Sequence, residues 1–330
     1  MADQADRQNV FPTRIDLGDL HRAVEQIRQE IRKIIVGQEE MVELLLAAIL
    51  ADGHVLIEGV PGVAKTLTAK LLARTFSVKF SRIQFTPDLM PSDVVGTSVF
   101  NMKTSRFEFN PGPIFANIVL IDEINRAPAK TQSALFEVME ERQVTVDGTT
   151  YPLEFPFIAI ATQNPIEQEG TYRLPEAQLD RFLFKIEVPY PTLEEEKQIL
   201  GEFHRRKSVN DLGLVQPVLD ASHLKQYREQ VQEVHVEERL IDYIALLVQQ
   251  TRQDSSLYLG ASPRAGQNIL NAAKAVAALQ GRDFITPEDV QRVIFPVLRH
   301  RLLLTPEKEM EGVTPDEIIR QLLEKVEVPR

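Results

Sequence analysis

Apolar residues near the start of the chain recur at spacings of three and four. Leu20, Ala23, Val24, Ile27, Ile31 and Ile34 share one face, which predicts an amphipathic helix ending at Val36, Gly37 and Gln38 with Gly37 as its C-cap. A second helix is expected over 39–51, closed by Asp52 and Gly53. The pattern then turns to short β-rich apolar runs at 55–57, 80–85, 118–121, 157–161 and 184–188, as expected of strands covered on both faces. Helices at 66–76 and 128–141 lie between them, and such alternation argues for a parallel sheet with right-handed crossovers. Hairpins are expected at 96–110, around Lys103 to Ser105, and at 143–155, around the Asp147-Gly148 turn signal.

After Pro189, Tyr190 and Pro191 the pattern reads as all-helical. Thr192 and Glu195 form a capping box. Ser262-Pro263, Thr286-Pro287 and Thr314-Pro315 each join an N-cap residue to a proline at the first helical position. Gly281 should close the helix 263–280, and Pro296 should kink or end the next. Two domains follow, an α/β core over 1–191 and an all-α domain over 192–330. The first fifteen or so residues are polar and predict a loose segment.

Composition narrows the class. The longest apolar run, 44–51, is eight residues, far below the roughly 20 needed to cross a bilayer, so no membrane insertion is expected. The N-terminus has no apolar stretch of the secretory kind. The absence of cysteine excludes disulfides, thiolate catalysis and sulfur-ligated zinc, and suits a cytoplasmic chain. Forty-eight acidic against 37 basic residues give a net charge of -11, which argues against nucleic acid as a partner. The six histidines show no metal-ligand spacing and read as structural or solvated.

Chemistry concentrates in Gly59, Val60, Pro61, Gly62, Val63, Ala64, Lys65 and Thr66, set between a strand and a helix. A triphosphate needs backbone N–H groups unobstructed by side chains, a lysine for its β/γ oxygens and a hydroxyl for magnesium; this segment offers all three. The usual pattern has glycine before the lysine. Ala64 stands there instead, tolerable on the expectation that its φ stays negative. A bland turn before a helix is the competing reading.

About 55 residues further on, four apolar residues end in Asp122 and Glu123. A buried strand would deliver both carboxylates to the carboxyl edge of the sheet, where ligands bind. Asp122 would hold Mg²⁺ and Glu123 would orient and deprotonate a water. Asn164, after the next strand, could hold the γ-phosphate or that water, or could simply make an Asn-Pro turn. Arg181 precedes the last strand. Arg264 sits in the first turn of a helix, where it opposes the helix dipole unless it serves a phosphate.

Together these residues resemble the MoxR family of AAA+ ATPases, over nearly the whole chain. The segment 59–66 resembles that family's Walker A, its alanine before lysine included, Ile121 to Ala127 its Walker B, and Asn164 its sensor 1. Arg181 is similar to the arginine finger, with Arg173 and Arg126 as alternatives, and 260–265 is similar to the sensor 2 segment carrying Arg264. The stretch from Ile35 to Gln38 resembles the adenine pocket. The resemblance implies a five-stranded core of order 5-1-4-3-2, a helical lid and a hexameric ring. It implies a nucleotide site of Val36, Gly37, Gly59, Val60, Pro61, Gly62, Val63, Ala64, Lys65, Thr66 and Leu67, with Thr66 and Asp122 on Mg²⁺. It also implies ATP-driven remodelling, assembly or activation of a client protein, metal insertion included, often beside a partner carrying a von Willebrand A domain. The hairpins are similar to the family's helix-2 insert and pre-sensor 1 hairpin, which face a central pore. With the chain ending near Arg330, a fused partner-binding domain is not expected. A nucleic-acid motor, a small-molecule kinase and a nucleotide-gated scaffold with little turnover stay open as alternatives.

Overall fold

The computed structural model describes residues 14–60, 62–164, 172, 174–206 and 212–329; the polar start of the chain, expected to be loose, falls almost entirely outside them. In chain order the elements are α1 (Gly18–Arg32), α2 (Glu39–Leu50), β1 (His54–Gly59), α3 (Lys65–Thr75), β2 (Phe80–Gln84), α4 (Pro91–Val95), β3 (Gly96–Asn101), β4 (Arg106–Pro111), β5 (Ile118–Asp122), α5 (Ala129–Glu141), β6 (Gln143–Val146), β7 (Thr149–Pro152), β8 (Ile158–Gln163), α6 (Glu176–Leu179) and β9 (Phe182–Val188). Then follow α7 (Leu193–Arg206), α8 (Ala221–Gln232), α9 (Glu238–Thr251), β10 (Leu257–Leu259), α10 (Pro263–Leu279), α11 (Pro287–Leu298), β11 (Leu303–Leu304), α12 (Pro306–Met310) and α13 (Pro315–Lys325).

Strands β2, β5, β8, β1 and β9 form one parallel sheet in that order, the order 5-1-4-3-2 read from its other edge. The central strands are largely apolar because both faces are covered; β5 is buried at every position, its terminal Asp122 included. Helices α1, α2 and α3, together with α8 to α11 and α13, share one continuous core on one face. Helices α4 and α5 pack with Phe85, Phe157 and Phe182 on the other. Helix α2 is buried along most of its length between the sheet and α8 and α10. Alanines 272, 273, 275, 277 and 278 of α10 are buried, and their small side chains let neighbouring helices approach closely.

The carboxyl ends of the strands are brought level by register. Gln84 lies beside Asp122, and Glu58 beside Gln163. Both expected hairpins form. Asp147 and Gly148 both take positive φ, as a two-residue hairpin turn demands.

Several details depart from the sequence reading. Helix α1 ends at Arg32, short of the expected 36–38, because Ile34 and Ile35 turn inward and are buried. Gly37 (φ 68) and Gln38 (φ 58) form a left-handed pair that starts α2, so Gly37 is not the C-cap of α1. Helix α11 runs through Pro296 to Leu298. The C-terminal part is not wholly helical, since β10 and β11 pair across it. The capping box at Thr192 forms as expected, and the N-caps expected at Thr286 and Thr314 close into capping boxes with Asp289 and Glu317. Ser262 instead turns its hydroxyl toward Asp180, 3.4 Å away.

Candidate nucleotide site

A cavity of about 560 Å³ opens at the carboxyl end of the sheet. The loop after β1 carries Gly59, Gly62, Ala64, Lys65, Thr66 and Leu67 to it. Strand β5 carries Asp122 and Glu123, strand β8 Thr162, Gln163 and Asn164, and strand β2 Arg82 and Gln84. Ile34, Ile35, Val36 and Ile199 line an apolar part of its wall. Among the expected nucleotide residues, Gly37, Val60 and Val63 do not line it. Val60 faces a separate crevice with Glu187 and Tyr190, and Val63 is buried in the core. Gly37 lies against α7, where a Cβ would collide with the Glu195 carboxylate. Pro61 and Arg173 lie outside the described residues.

The loop geometry suits phosphate. Gly62 takes φ 91 with open space where a side chain would stand, and Gly59 passes so close to Val188 that a Cβ would lie 3.0 Å from its carbonyl oxygen. Ala64 overturns the expectation of negative φ: at φ 60, ψ 17 it occupies the left-handed region. The tight turn into α3 imposes that conformation, at about 1–2 kcal/mol for an L-residue. Lys65 donates from Nζ to Gly59 O at 2.6 Å. Burial pushes its pKa down, and Asp122, Glu123 and Glu58 oppose that shift by favouring the charged form.

Asp122 is buried and accepts from Arg82 Nε at 2.6 Å and from Thr162 Oγ1 at 3.1 Å. Glu123 also stands in the left-handed region (φ 57, ψ 51), and its amide donates to Thr162 Oγ1 at 3.1 Å. Its carboxylate meets Arg126 Nε at 2.8 Å and Gln84 Nε2 at 3.2 Å. Arg82, Gln84, Thr162 and Ile199 were missed from sequence. Arg82 and Gln84 had a visible signal, two polar residues inside a run otherwise read as a buried strand.

Neither Arg181 nor Arg264 lines the cavity of its own chain. Both meet Glu140 of α5: Arg264 Nη2 at 2.9 and 3.1 Å, and Arg181 Nε at 3.7 Å.

Comparison with known proteins agrees with this geometry. Residues 54–184 match the sequence model of the ATPase family associated with various cellular activities (AAA), and residues 249–322 match that of the AAA lid domain. Fold and site thus define an AAA+ ATPase, an enzyme that hydrolyses ATP. The chain is 47% identical over 311 residues to the Bacillus subtilis protein YeaC, covering 94% of this chain and 96% of that one. It is 46% identical over 314 residues to Chaperone MoxR1 of Mycobacterium tuberculosis, covering 91% and 81%. The crystal structure of a candidate ATPase from Cytophaga hutchinsonii superimposes with a TM-score of 0.88 at 43% identity, covering 94% of this chain and 97% of that one. The chain belongs to the MoxR family.

Proposed function

We propose that this chain binds Mg²⁺-ATP in the cavity, hydrolyses it within a hexameric ring, and uses the cycle to remodel, assemble or activate a client protein. The observation that carries the nucleotide part is the convergence of Lys65, Thr66, Asp122, Glu123 and Asn164 from three separate segments on one cavity. Lys65 and the loop amides would hold the β/γ-phosphates, with the base against Ile34, Ile35, Val36 and Ile199. Among the described residues no three His, Cys, Asp or Glu side chains gather as a metal cluster. Thr66 and Asp122 suit a cation that completes its shell with phosphate oxygens and water, as Mg²⁺ does. When bound, Mg²⁺ would neutralise charge developing on the transferred phosphoryl group. Glu123 would orient and deprotonate the attacking water, and Asn164 would fix that water or the γ-phosphate.

Arg181 and Arg264, lying away from their own cavity, suit a neighbour's site better than their own. The client role is supported by the name of the Mycobacterium relative and by the β3–β4 hairpin, where Met102 and Phe107 are 87% and 73% exposed. Such an apolar hairpin fits a protein client, with a von Willebrand A domain protein as a partner. We place the boundary between core and lid at Pro191, and the protein in the cytoplasm.

The test separates binding from chemistry. Lys65→Ala should lose binding of a fluorescent ATP analogue, whereas Glu123→Gln should keep it and lose phosphate release. Equal loss of affinity in both variants would contradict these roles.

A further inference from the structure

The contact between Arg181, Arg264 and Glu140 joins three segments of the chain far apart in sequence. Glu140 lies in the last turn of α5, Arg181 precedes β9, and Arg264 opens α10. Phe136, one turn before Glu140 on the same helix face, lies under the Arg181 guanidinium, 5.8 Å from ring centroid to Cζ. That ring is buried and packs edge-on against Phe182, so its position is fixed by the core. Helix α5 therefore offers Arg181 a flat apolar seat and a carboxylate, and offers the same carboxylate to Arg264.

Charge makes the arrangement unusual for a structural ion pair. Asp180 is taken up by Arg301, whose Nε lies 2.6 Å from Oδ1. Among the described residues of this contact network, three guanidiniums (Arg181, Arg264 and Arg301) meet two carboxylates (Glu140 and Asp180), an excess of one positive charge at the seam between core and lid. Glu140 engages Nη2 of Arg264 and Nε of Arg181, so the other N–H groups of both are not committed to it. A pair of guanidiniums that meet one carboxylate, each with N–H groups that this carboxylate does not engage, suits a phosphate oxygen.

We propose that Glu140 is a positioning residue, whose carboxylate holds Arg181 and Arg264 together so that they reach a neighbouring subunit's phosphates as a pair. This rests on the reading that Arg181 acts in trans. Glu140 does not line the nucleotide cavity of its own chain; it acts by fixing the angle at which the arginines are presented. Small misplacements of such groups can cost about 10²-fold in rate.

The experiment is complementation in full-length protein, with co-assembly of each mixture established by sedimentation and activity read as phosphate release. Glu140→Ala should lower kcat by about 10- to 100-fold while leaving the Kd for a fluorescent ATP analogue within about twofold. Mixed with Lys65→Ala it should regain activity, because its intact pocket then meets an intact arginine pair. Mixed with Arg181→Ala it should not, because both defects lie on the same side of the interface. The pair Arg181→Ala with Lys65→Ala is the control, and no recovery there would overturn the trans reading itself. With that control recovering, an unchanged kcat in Glu140→Ala, or recovery in the mixture with Arg181→Ala, would overturn the role of Glu140. Glu140→Gln keeps the side-chain shape and carries the same test if the alanine variant fails to assemble.

Discussion

Thr162 is the residue on which the two carboxylates of the site depend. Its hydroxyl donates to Asp122 and accepts from the amide of Glu123, so one side chain ties both to β8. The second bond matters because Glu123 stands at φ 57, a conformation that costs an L-residue about 1–2 kcal/mol and persists only when its surroundings hold it. Thr162→Val keeps the shape but removes both bonds, worth about 1–3 kcal/mol in a buried setting. We expect kcat to fall about 10-fold or more with KM within about twofold, and Thr162→Ser to retain most activity. Steady-state phosphate release decides it, and a valine variant with parental kcat would sink the assignment. At this scale the loop lysine, the threonine and the paired carboxylates were legible in the sequence, because phosphate and magnesium chemistry constrains residue types at short spacing. Thr162 was not, because its role comes from a neighbour 40 positions away.

At the level of elements, buried polar side chains tie the sheet to its helices. His54 opens β1; its Nδ1 accepts from Ala159 N of β8 at 3.0 Å and its Nε2 lies 3.1 Å from Met139 O of α5. Both bonds are made by the neutral ring with its proton on Nε2. Burial, aided by the nearby Arg142 charge, pushes the pKa down from 6.5 to about 4. Between those values the unfolded chain takes up a proton that the folded chain refuses. The stability contributed by the neutral ring is therefore complete above pH 6.5 and is lost as pH falls toward 4. The loss is on the order of 3 kcal/mol at most. His300, depressed chiefly by burial, adds in the same direction. Chemical denaturation between pH 4 and 7 should show a shallower decline for His54→Gln than for the parent; identical slopes would remove His54 from the account. The register of β2 against β5 brings Arg82 and Gln84 within hydrogen-bond reach of Asp122 and Glu123.

For the whole molecule the decisive feature is that the core and the C-terminal helices share one hydrophobic cluster. Arg228 of α8 reaches back to Ile49 O and Asp52, and Arg301 to Asp180 and Phe182. Helices α8 to α11 thus do not hang over the cavity as a free flap, and Arg264 is carried to the edge of α5 instead of to its own loop. If that edge completes a neighbour's site, specific activity should rise with protein concentration, since assembly follows mass action. Phosphate release per subunit measured through the micromolar range should climb for the parent, while Arg181→Ala should stay low throughout, an arginine finger being worth on the order of 10³–10⁵ in rate. Specific activity independent of concentration in protein that sedimentation shows to be dissociating would argue for a site complete within one chain.

Legible in the sequence were the parallel sheet, its strand order by way of the family resemblance, the helix starts and the residue types gathered in the loop and at the end of β5. These follow from local rules: apolar period, capping residues, and a glycine-bearing loop between strand and helix. Only the tertiary structure decided that Ala64 and Glu123 take positive φ, and that Arg82 and Thr162 hold Asp122. It alone placed Ile199 of α7 beside Ile34 and brought Arg181 and Arg264 to one carboxylate. Each of these depends on where separate segments meet. That is set by the packing of α2 and α10 against the sheet, which no spacing along the chain records.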